Sequence, residues 1–371
     1  QNKTNEERIN KIIKFYKKKY KTDTDTENFK STIKDEFTDD EFKNLFNYLT
    51  DETKAEIINI IHDNLNTPEK KTKFINDVYI KGSTNINFFI ILTHLKKTYS
   101  NLDINLTDSI GNTVLHFAVK NNNSDIVKEL LKHQKIDVNI QNKDGKTPLQ
   151  IAVNNNNSDI VVLLLKCDDI NFQNYEDPPL QIAIEKNNLD IVKLFLAHPN
   201  INVNFKNRDS PLHIATAINH TDIVKKLLAH QKIDVNIQNE NKDTPLHFAV
   251  KEYYIDIVKE LLARREINVN IQDFYGETPL DIAVYQGYIN IVELLLARPD
   301  INVNSQNKDG NTPLHWATIK SNIKIITLLL AHQKIDVNIQ NEDGKTPLQI
   351  AEMLNQPEII KLIKKHKPSS Q

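Results

Sequence analysis

From about residue 101 onward, apolar residues occur in short groups with helical spacing, and polar stretches separate one group from the next. In one such region, a first group consists of Leu149, Ile151 and Ala152. A second group follows and consists of Ile160, Val161, Leu164 and Leu165. Residues three and four apart share one face of an α-helix. The pattern therefore predicts pairs of short helices, each with one buried face.

The residues around these groups carry the start and stop signals of helices. Asn142 to Gly145 has the composition of a tight turn. Thr147 suits an N-cap, and Pro148 suits the first helical position, where its missing N–H costs nothing. Asn156 lies where the first helix must end in a left-handed residue, a role that Asn fills second only to Gly.

The phrase Thr-Pro-Leu-Gln-Ile-Ala recurs with small changes. Its first position falls at Thr113, Thr147, Pro178, Ser210, Thr244, Thr278, Thr312 and Thr346. The steps are 34, 31, 32, 34, 34, 34 and 34 residues. Phrase and period resemble the ankyrin repeat, a hairpin turn followed by two antiparallel helices. The resemblance covers residues 101–371 and implies an all-α solenoid of about eight units, with a small Ala in every phrase for close helix packing.

Departures from the family pattern predict local changes. Gly at the end of the first helix survives only as Gly287, whereas Tyr253 and Ser321 hold that position in two other units. A Tyr with positive φ is strained, so an altered turn is expected there. The missing residues fall near 174–177 and 207–209, which predicts shortened hairpin tips and a notch in the binding groove.

The first hundred residues predict a separate region. We expect a helical domain over residues 1–66, a degenerate capping repeat over 67–100, and the array over 101–371 with a lysine-rich C-terminal cap. Leu49 to Leu65 resembles the opening of an F-box, although the Leu-Pro start is absent. The lysine-rich segment from Lys11 to Lys21 fits either a membrane or nucleic-acid contact or, more simply, the solvated face of a helix.

Composition narrows the function classes. The 371 residues are 26% charged and 39% hydrophobic, with a formal net charge of −2, which argues against a general nucleic-acid binder. No apolar run reaches the length of a membrane span. The single Cys167 excludes an intramolecular disulfide and is compatible with a reducing compartment. Since residue 1 is Gln, we expect a processed product or a fragment.

Nothing in the sequence predicts a catalytic, cofactor or metal site. Histidines recur in the phrase at His116, His213, His247 and His315. Packed elements lie about 8–10 Å apart, so histidines one repeat apart cannot share a zinc ion. The resemblance implies instead that they brace the hairpins, with Gln150, Gln181, Gln349 and Asp281 as replacements. Asp168 and Asp169 should raise the thiol pKa of Cys167, the wrong direction for a nucleophile. Trp316 occupies a position expected in the core between repeats.

In ankyrin-like proteins, partners contact hairpin tips and the exposed positions of the first helices. Carried over unit by unit, this predicts contact residues Tyr175, Arg208, Lys251, Glu252, Phe274, Tyr275, Tyr285, Gln286, Lys308 and Lys320. The sixth unit is distinctive because Phe274, Tyr275 and Tyr285 would place three aromatic side chains on one concave patch. Exposed aromatic residues are typical interface hot spots, whereas packing of Phe274 on a neighbouring hairpin is the alternative.

These observations predict a non-enzymatic, monomeric module that binds a partner protein, with neither small-molecule substrate nor nucleic acid. The heavy use of Asn, Lys and Ile is typical of proteins from AT-rich genomes. By analogy, this usage and an ankyrin array suit an effector or toxin that an intracellular bacterium secretes into a host cytoplasm. Two alternatives stay open. In the first, the chain would be the targeting part of a larger toxin or enzyme. In the second, it would be an adaptor that recruits ubiquitin machinery through its N-terminal helices. The sequence names neither the partner nor the compartment.

Overall fold

The structure is a computed structural model that describes residues 104, 105, 107, 110–171 and 177–366. The chain divides into two compact units, residues 1–172 and 173–371, and each is treated by itself. The helical domain and capping repeat predicted over residues 1–66 and 67–100 lie outside the described residues, as does the hairpin segment 172–176.

The described residues form eight helix pairs, as the periodicity predicts. The first compact unit contains four helices, α1 (Val114–Lys120), α2 (Ser124–Leu131), α3 (Pro148–Asn154) and α4 (Ser158–Leu164). The second unit contains α5 (Pro179–Glu185), α6 (Leu189–Leu196), α7 (Pro211–Ala217), α8 (Thr221–Leu228), α9 (Pro245–Lys251), α10 (Ile255–Leu262), α11 (Pro279–Gln286), α12 (Ile289–Leu296), α13 (Pro313–Ile319), α14 (Ile323–Leu330), α15 (Pro347–Met353) and α16 (Pro357–Lys365). None of these helices is long and apolar enough to cross a bilayer.

The first helix of each pair begins as the phrase predicts. At α3, the Gln150 N–H donates to the Thr147 hydroxyl over 3.2 Å, and the Thr147 N–H donates to the Gln150 side-chain oxygen over 2.8 Å. Such reciprocal caps satisfy two backbone donors that a helix start leaves unpaired. α5 is an exception, because it starts after Pro178 without a side-chain cap.

The turn between the two helices of a pair is the same in all eight pairs. Asn122, Asn156, Asn187, Asn219, Tyr253, Ser321 and Asn355 have φ values of 52–59°, and Gly287 has 77°. The altered turn expected at Tyr253 and Ser321 is therefore wrong. Tyr253 keeps the backbone hydrogen bonds of its Asn counterparts and packs against Tyr288, with ring centroids 4.6 Å apart. The surrounding hydrogen bonds fix the left-handed residue despite its steric cost.

Within each compact unit, every helix packs against the equivalent helix of the next pair. The Ala of the phrase lies in these contacts, since Ala152 and Ala249 are wholly buried. The large side chains beside them, such as Leu149 and Leu246, are also wholly buried. Each such side chain contributes about 2 kcal/mol of hydrophobic stabilisation. Stability therefore accumulates from nearest-neighbour contacts, as in other solenoids.

Most of the described hairpins between pairs are tight hydrogen-bonded turns, and the described residues contain no β-strand. In the sixth unit the Gly276 N–H donates to the Asp273 carbonyl over 3.0 Å. Consecutive tips are also joined, because the Glu342 N–H donates to the Asp309 carbonyl over 2.9 Å. Residues 207–209 form a bend instead of this turn, in line with the shortened tip predicted there.

At one joined tip, the neighbouring hairpin leaves no room for a side chain on the residue that closes the turn. Gly310 and Gly344 share this turn position, with φ values of 72° and 69°. A Cβ at Gly310 would lie 2.7 Å from the Glu342 backbone nitrogen, whereas a Cβ at Gly344 would meet nothing within 4 Å. A side chain at either position would have the same cost for its left-handed backbone. Only at Gly310 would it also clash with the neighbouring hairpin.

We predict that Gly310→Ala lowers stability by at least ~1 kcal/mol more than Gly344→Ala, which itself costs ~1–2 kcal/mol for its left-handed backbone. Urea unfolding of the full chain, followed by circular dichroism, measures both variants. Equal losses would show that the tip contact does not constrain the array.

Candidate protein-interaction surface

Hydrogen bonds to backbone groups hold the hairpin tip of the sixth unit in place, so the side chains of Phe274 and Tyr275 can face outward. The Asp273 carboxylate accepts hydrogen bonds from the Tyr275 and Glu277 N–H groups over 2.8 and 3.0 Å. The Phe274 N–H donates to the Asn241 carbonyl, and the Tyr275 carbonyl accepts from the Lys308 N–H. Phe274 and Tyr275 nevertheless expose 53% and 65% of their surface.

The two exposed rings form a cluster with one lysine. Phe274 and Tyr275 meet edge to face, with centroids 5.6 Å apart. The Lys308 Nζ lies 3.9 Å from the Phe274 centroid. Phe274 therefore does not fold away beneath the neighbouring hairpin, and over half of it stays accessible beside a positive charge.

A second cluster lies where α11 ends. Tyr285 is 41% exposed, and its ring meets Trp316 of α13 edge to face at 5.1 Å. The Lys320 Nζ lies 3.8 Å from the Tyr285 centroid. We call Phe274, Tyr275, Tyr285 and Trp316, with Lys308 and Lys320, the aromatic patch.

The prediction that Trp316 lies in the core between repeats needs a correction. Its contact with Tyr285 joins two repeats, as expected, but the side chain is only partly buried and does not belong to the core. The equivalent position is also partly exposed in six of the other seven units, with Ile282 the buried exception. The position precedes the core-facing Ala of the phrase by one residue, so it lies at the margin of the helix contact.

Lys251, predicted as a contact residue, serves a different purpose. Its Nζ lies 2.6 Å from an Asp243 carboxylate oxygen and 3.5 Å from an Asp273 oxygen. Both carboxylates are buried, and two buried like charges need such a bridge. The ammonium of Lys251 is thus neutralised by two carboxylates at a partly exposed position. The contact shows that the end of a first helix reaches the hairpins beside it.

The remaining predicted contact residues divide into two groups. Glu252 and Gln286 are exposed where α9 and α11 end, and Arg208 is exposed on the bend at 207–209. Tyr175 lies outside the described residues.

The repeated histidines have the bracing role that the family resemblance implies. The His247 Nδ1 accepts from the Thr244 N–H over 3.1 Å, and its Nε2 lies 3.1 Å from the Glu277 carbonyl of the next hairpin. Contacts of His116, His213 and His315 with the carbonyls of Lys146, Asp243 and Lys345 measure 3.1, 2.9 and 3.0 Å. Burial lowers the pKa of His213, His247 and His315, so these rings stay neutral and donate through Nε2.

Cys167 lacks the environment of a nucleophile. Burial raises its thiol pKa to about 11, and the carboxylates of Asp169 and Asp168 add to the effect. The predicted direction is confirmed, although burial, which the sequence did not reveal, is the larger cause. In the described part of the chain, no group of three or more His, Cys, Asp or Glu side chains is arranged to hold a metal ion.

The family model for "Ankyrin repeats (3 copies)" matches residues 84–174, 168–239, 212–307 and 298–371. The chain belongs to the ankyrin-repeat family. Ankyrin repeats are generally protein–protein interaction modules, and their fold is typically a non-catalytic scaffold. A comparison with curated proteins found no match.

Asp281 replaces the bracing histidine in the sixth unit and leaves a buried acid there. One carboxylate oxygen accepts from the Thr278 N–H and hydroxyl over 2.9 and 2.7 Å. The other is buried with no hydrogen-bond partner among the described residues. Burial raises the pKa of Asp281 to about 7, and the carboxylates of Glu277 and Asp273 add to this, against the Thr278 hydrogen bonds.

We predict that Asp281 makes the protein less stable as pH rises. Its folded pKa is about 7, whereas an unfolded Asp titrates near about 4. The protonated acid favours the folded state, so its contribution is fully present below about pH 4 and is lost as pH rises through about 7. Asp281→Asn should raise stability at pH 8 by at least ~1 kcal/mol relative to wild type and flatten the fall.

Urea unfolding between pH 5 and pH 8 measures this effect. Asp222→Asn, at an exposed site on α8, is the matched control and should retain the wild-type pH profile. An unchanged profile in Asp281→Asn would mean that the carboxyl is not the titrating group.

Proposed function

We propose that this ankyrin array binds a partner protein through the aromatic patch of its sixth unit and the hairpin next to it. The single observation that carries the proposal is the exposure of Phe274, Tyr275 and Tyr285 on backbone that is fixed by hydrogen bonds. A group of exposed aromatic side chains rimmed by polar residues is typical of a protein–protein interaction site.

The patch has the physical properties of an interface hot spot. Aromatic side chains supply a large contact area and lose few rotamers on binding, since each has two side-chain torsions. Here the edge-to-face contacts and the lysines restrain the rings further. A partner therefore meets a surface that needs little ordering, and less binding energy is lost to entropy.

Glu252 and Gln286 fit the rim of such a surface, because rim residues are polar and accessible. Arg208 lies on the hairpin of the fourth unit and stays a proposed contact residue. The monomeric state and the setting as a secreted bacterial effector remain proposals. The adaptor role rests on residues 1–66, which are outside the described residues, and the role as the targeting part of a larger protein stays a hypothesis.

We predict that replacing Phe274, Tyr275 and Tyr285 together with Ala weakens partner binding by more than about tenfold, because hot-spot truncations cost ~2 kcal/mol or more each. Thermal unfolding should change by only a few degrees, since the three rings are largely exposed. Partners captured from cell lysate and identified by mass spectrometry would be titrated against both proteins.

The matched control is Ile323→Ala with Met353→Ala, which removes two exposed apolar side chains outside the patch. This variant should capture the same proteins as wild type. Undiminished capture by a folded triple-alanine variant would show that the partner binds elsewhere.

A further inference from the structure

Lys308 and Lys320 are the positive charges of the aromatic patch that no carboxylate neutralises. In the described part of the chain, neither ammonium lies within ion-pair distance of an acidic side chain. Both residues are exposed. Lys251 differs, because two buried carboxylates hold its ammonium. The same surface therefore contains one neutralised lysine and two available ones.

The rings beneath these lysines position the charges without cancelling them. A cation–π contact at an exposed site contributes only about 0.5–1 kcal/mol. The ring covers one side of each ammonium and leaves the other side open to a hydrogen-bond acceptor. Lysine normally loses side-chain entropy when it pairs with an acid, and a lysine restrained on a ring loses less.

We propose that the partner segment recognised by the aromatic patch is an acidic peptide that also carries one or two apolar anchor side chains. This inference rests on the proposed function and names its partner class. The anchors contact Phe274, Tyr275 and the Tyr285–Trp316 pair, while Asp or Glu side chains of the peptide pair with Lys308 and Lys320. The complementarity is local: two available positive charges beside exposed rings.

A polyanion such as nucleic acid fits this surface less well. Its phosphates would follow the hairpin tips, where Glu240, Asp309, Glu342 and Asp343 are exposed. Binding to a phosphate backbone depends on many cationic contacts, and the patch offers two. A peptide can place a few carboxylates at the lysines and direct uncharged residues elsewhere.

The experiment selects peptides from a phage-displayed random dodecapeptide library on the immobilised full chain. We expect the enriched sequences to combine Asp or Glu with Phe, Trp, Leu or Ile. Synthetic versions of these peptides should bind the wild-type chain with an affinity that falls as the salt concentration rises. Replacing Lys308 and Lys320 together with Glu should lower that affinity at least about tenfold. Replacing both with Arg should leave it unchanged. Lys324→Glu, an exposed change on α14, is the matched control and should have little effect.

The outcomes separate this inference from the proposed function. Enriched basic or purely apolar peptides whose binding is lost in the triple-alanine variant would overturn the acidic chemistry and leave the patch as the binding site. Peptides that bind the triple-alanine variant unchanged would overturn the proposed site itself. Failure to enrich any family of sequences, or competition by single-stranded oligouridylate at the patch, would also count against an acidic peptide.

Discussion

The stacking of the array depends on hydrogen bonds that leave one repeat and reach the next. In four units a buried histidine accepts from the N-cap of its own helix and donates to a carbonyl of the following hairpin. The same ring thus fixes the start of a helix and the position of the turn beyond it. A buried carbonyl without a donor costs about 1–3 kcal/mol, so repeats joined in this way resist separation.

Some positions of each repeat fix the backbone, whereas others only display a side chain. This difference explains where the sequence can vary. The N-cap, the Ala and the left-handed residue are each committed to backbone geometry, and a change there disturbs the stack. Hairpin-tip positions such as those of Phe274 and Lys308 contribute their backbone to the stack and leave their side chains outside. The fold therefore stays constant while tip side chains change, which is how a repeat scaffold acquires a particular surface.

The sequence predicted the parts of the fold that local chemistry determines. Caps, helix pairs and the left-handed Asn at position 156 follow from residue type and spacing, and the structure agrees. Tyr253 shows the limit, because local preference disfavours its positive φ and the hydrogen bonds of the turn override that preference. The candidate site was predicted less completely. Exposure of the three aromatics could be anticipated, whereas the lysines over the rings and the bridge from Lys251 to two carboxylates connect residues of different elements and need coordinates.

Two departures from the repeat pattern place carboxylates at buried positions of the sixth unit. Asp281 replaces the bracing histidine, and Asp273 stands where Asn142 and Asn341 bond through their amides to an Asn of the preceding hairpin. With Asp243 opposite it, Asp273 needs Lys251 as a bridge, and Asp281 keeps an oxygen without a partner in the described structure. An Asn at position 273 and a His at position 281 would make the hydrogen bonds of the other units without burying a carboxylate. Natural sequences retain such local conflicts mainly at functional sites. The same unit displays Phe274, Tyr275 and Tyr285, so two buried acids and three exposed aromatic side chains occur in one unit, which is the pattern expected if binding was selected there.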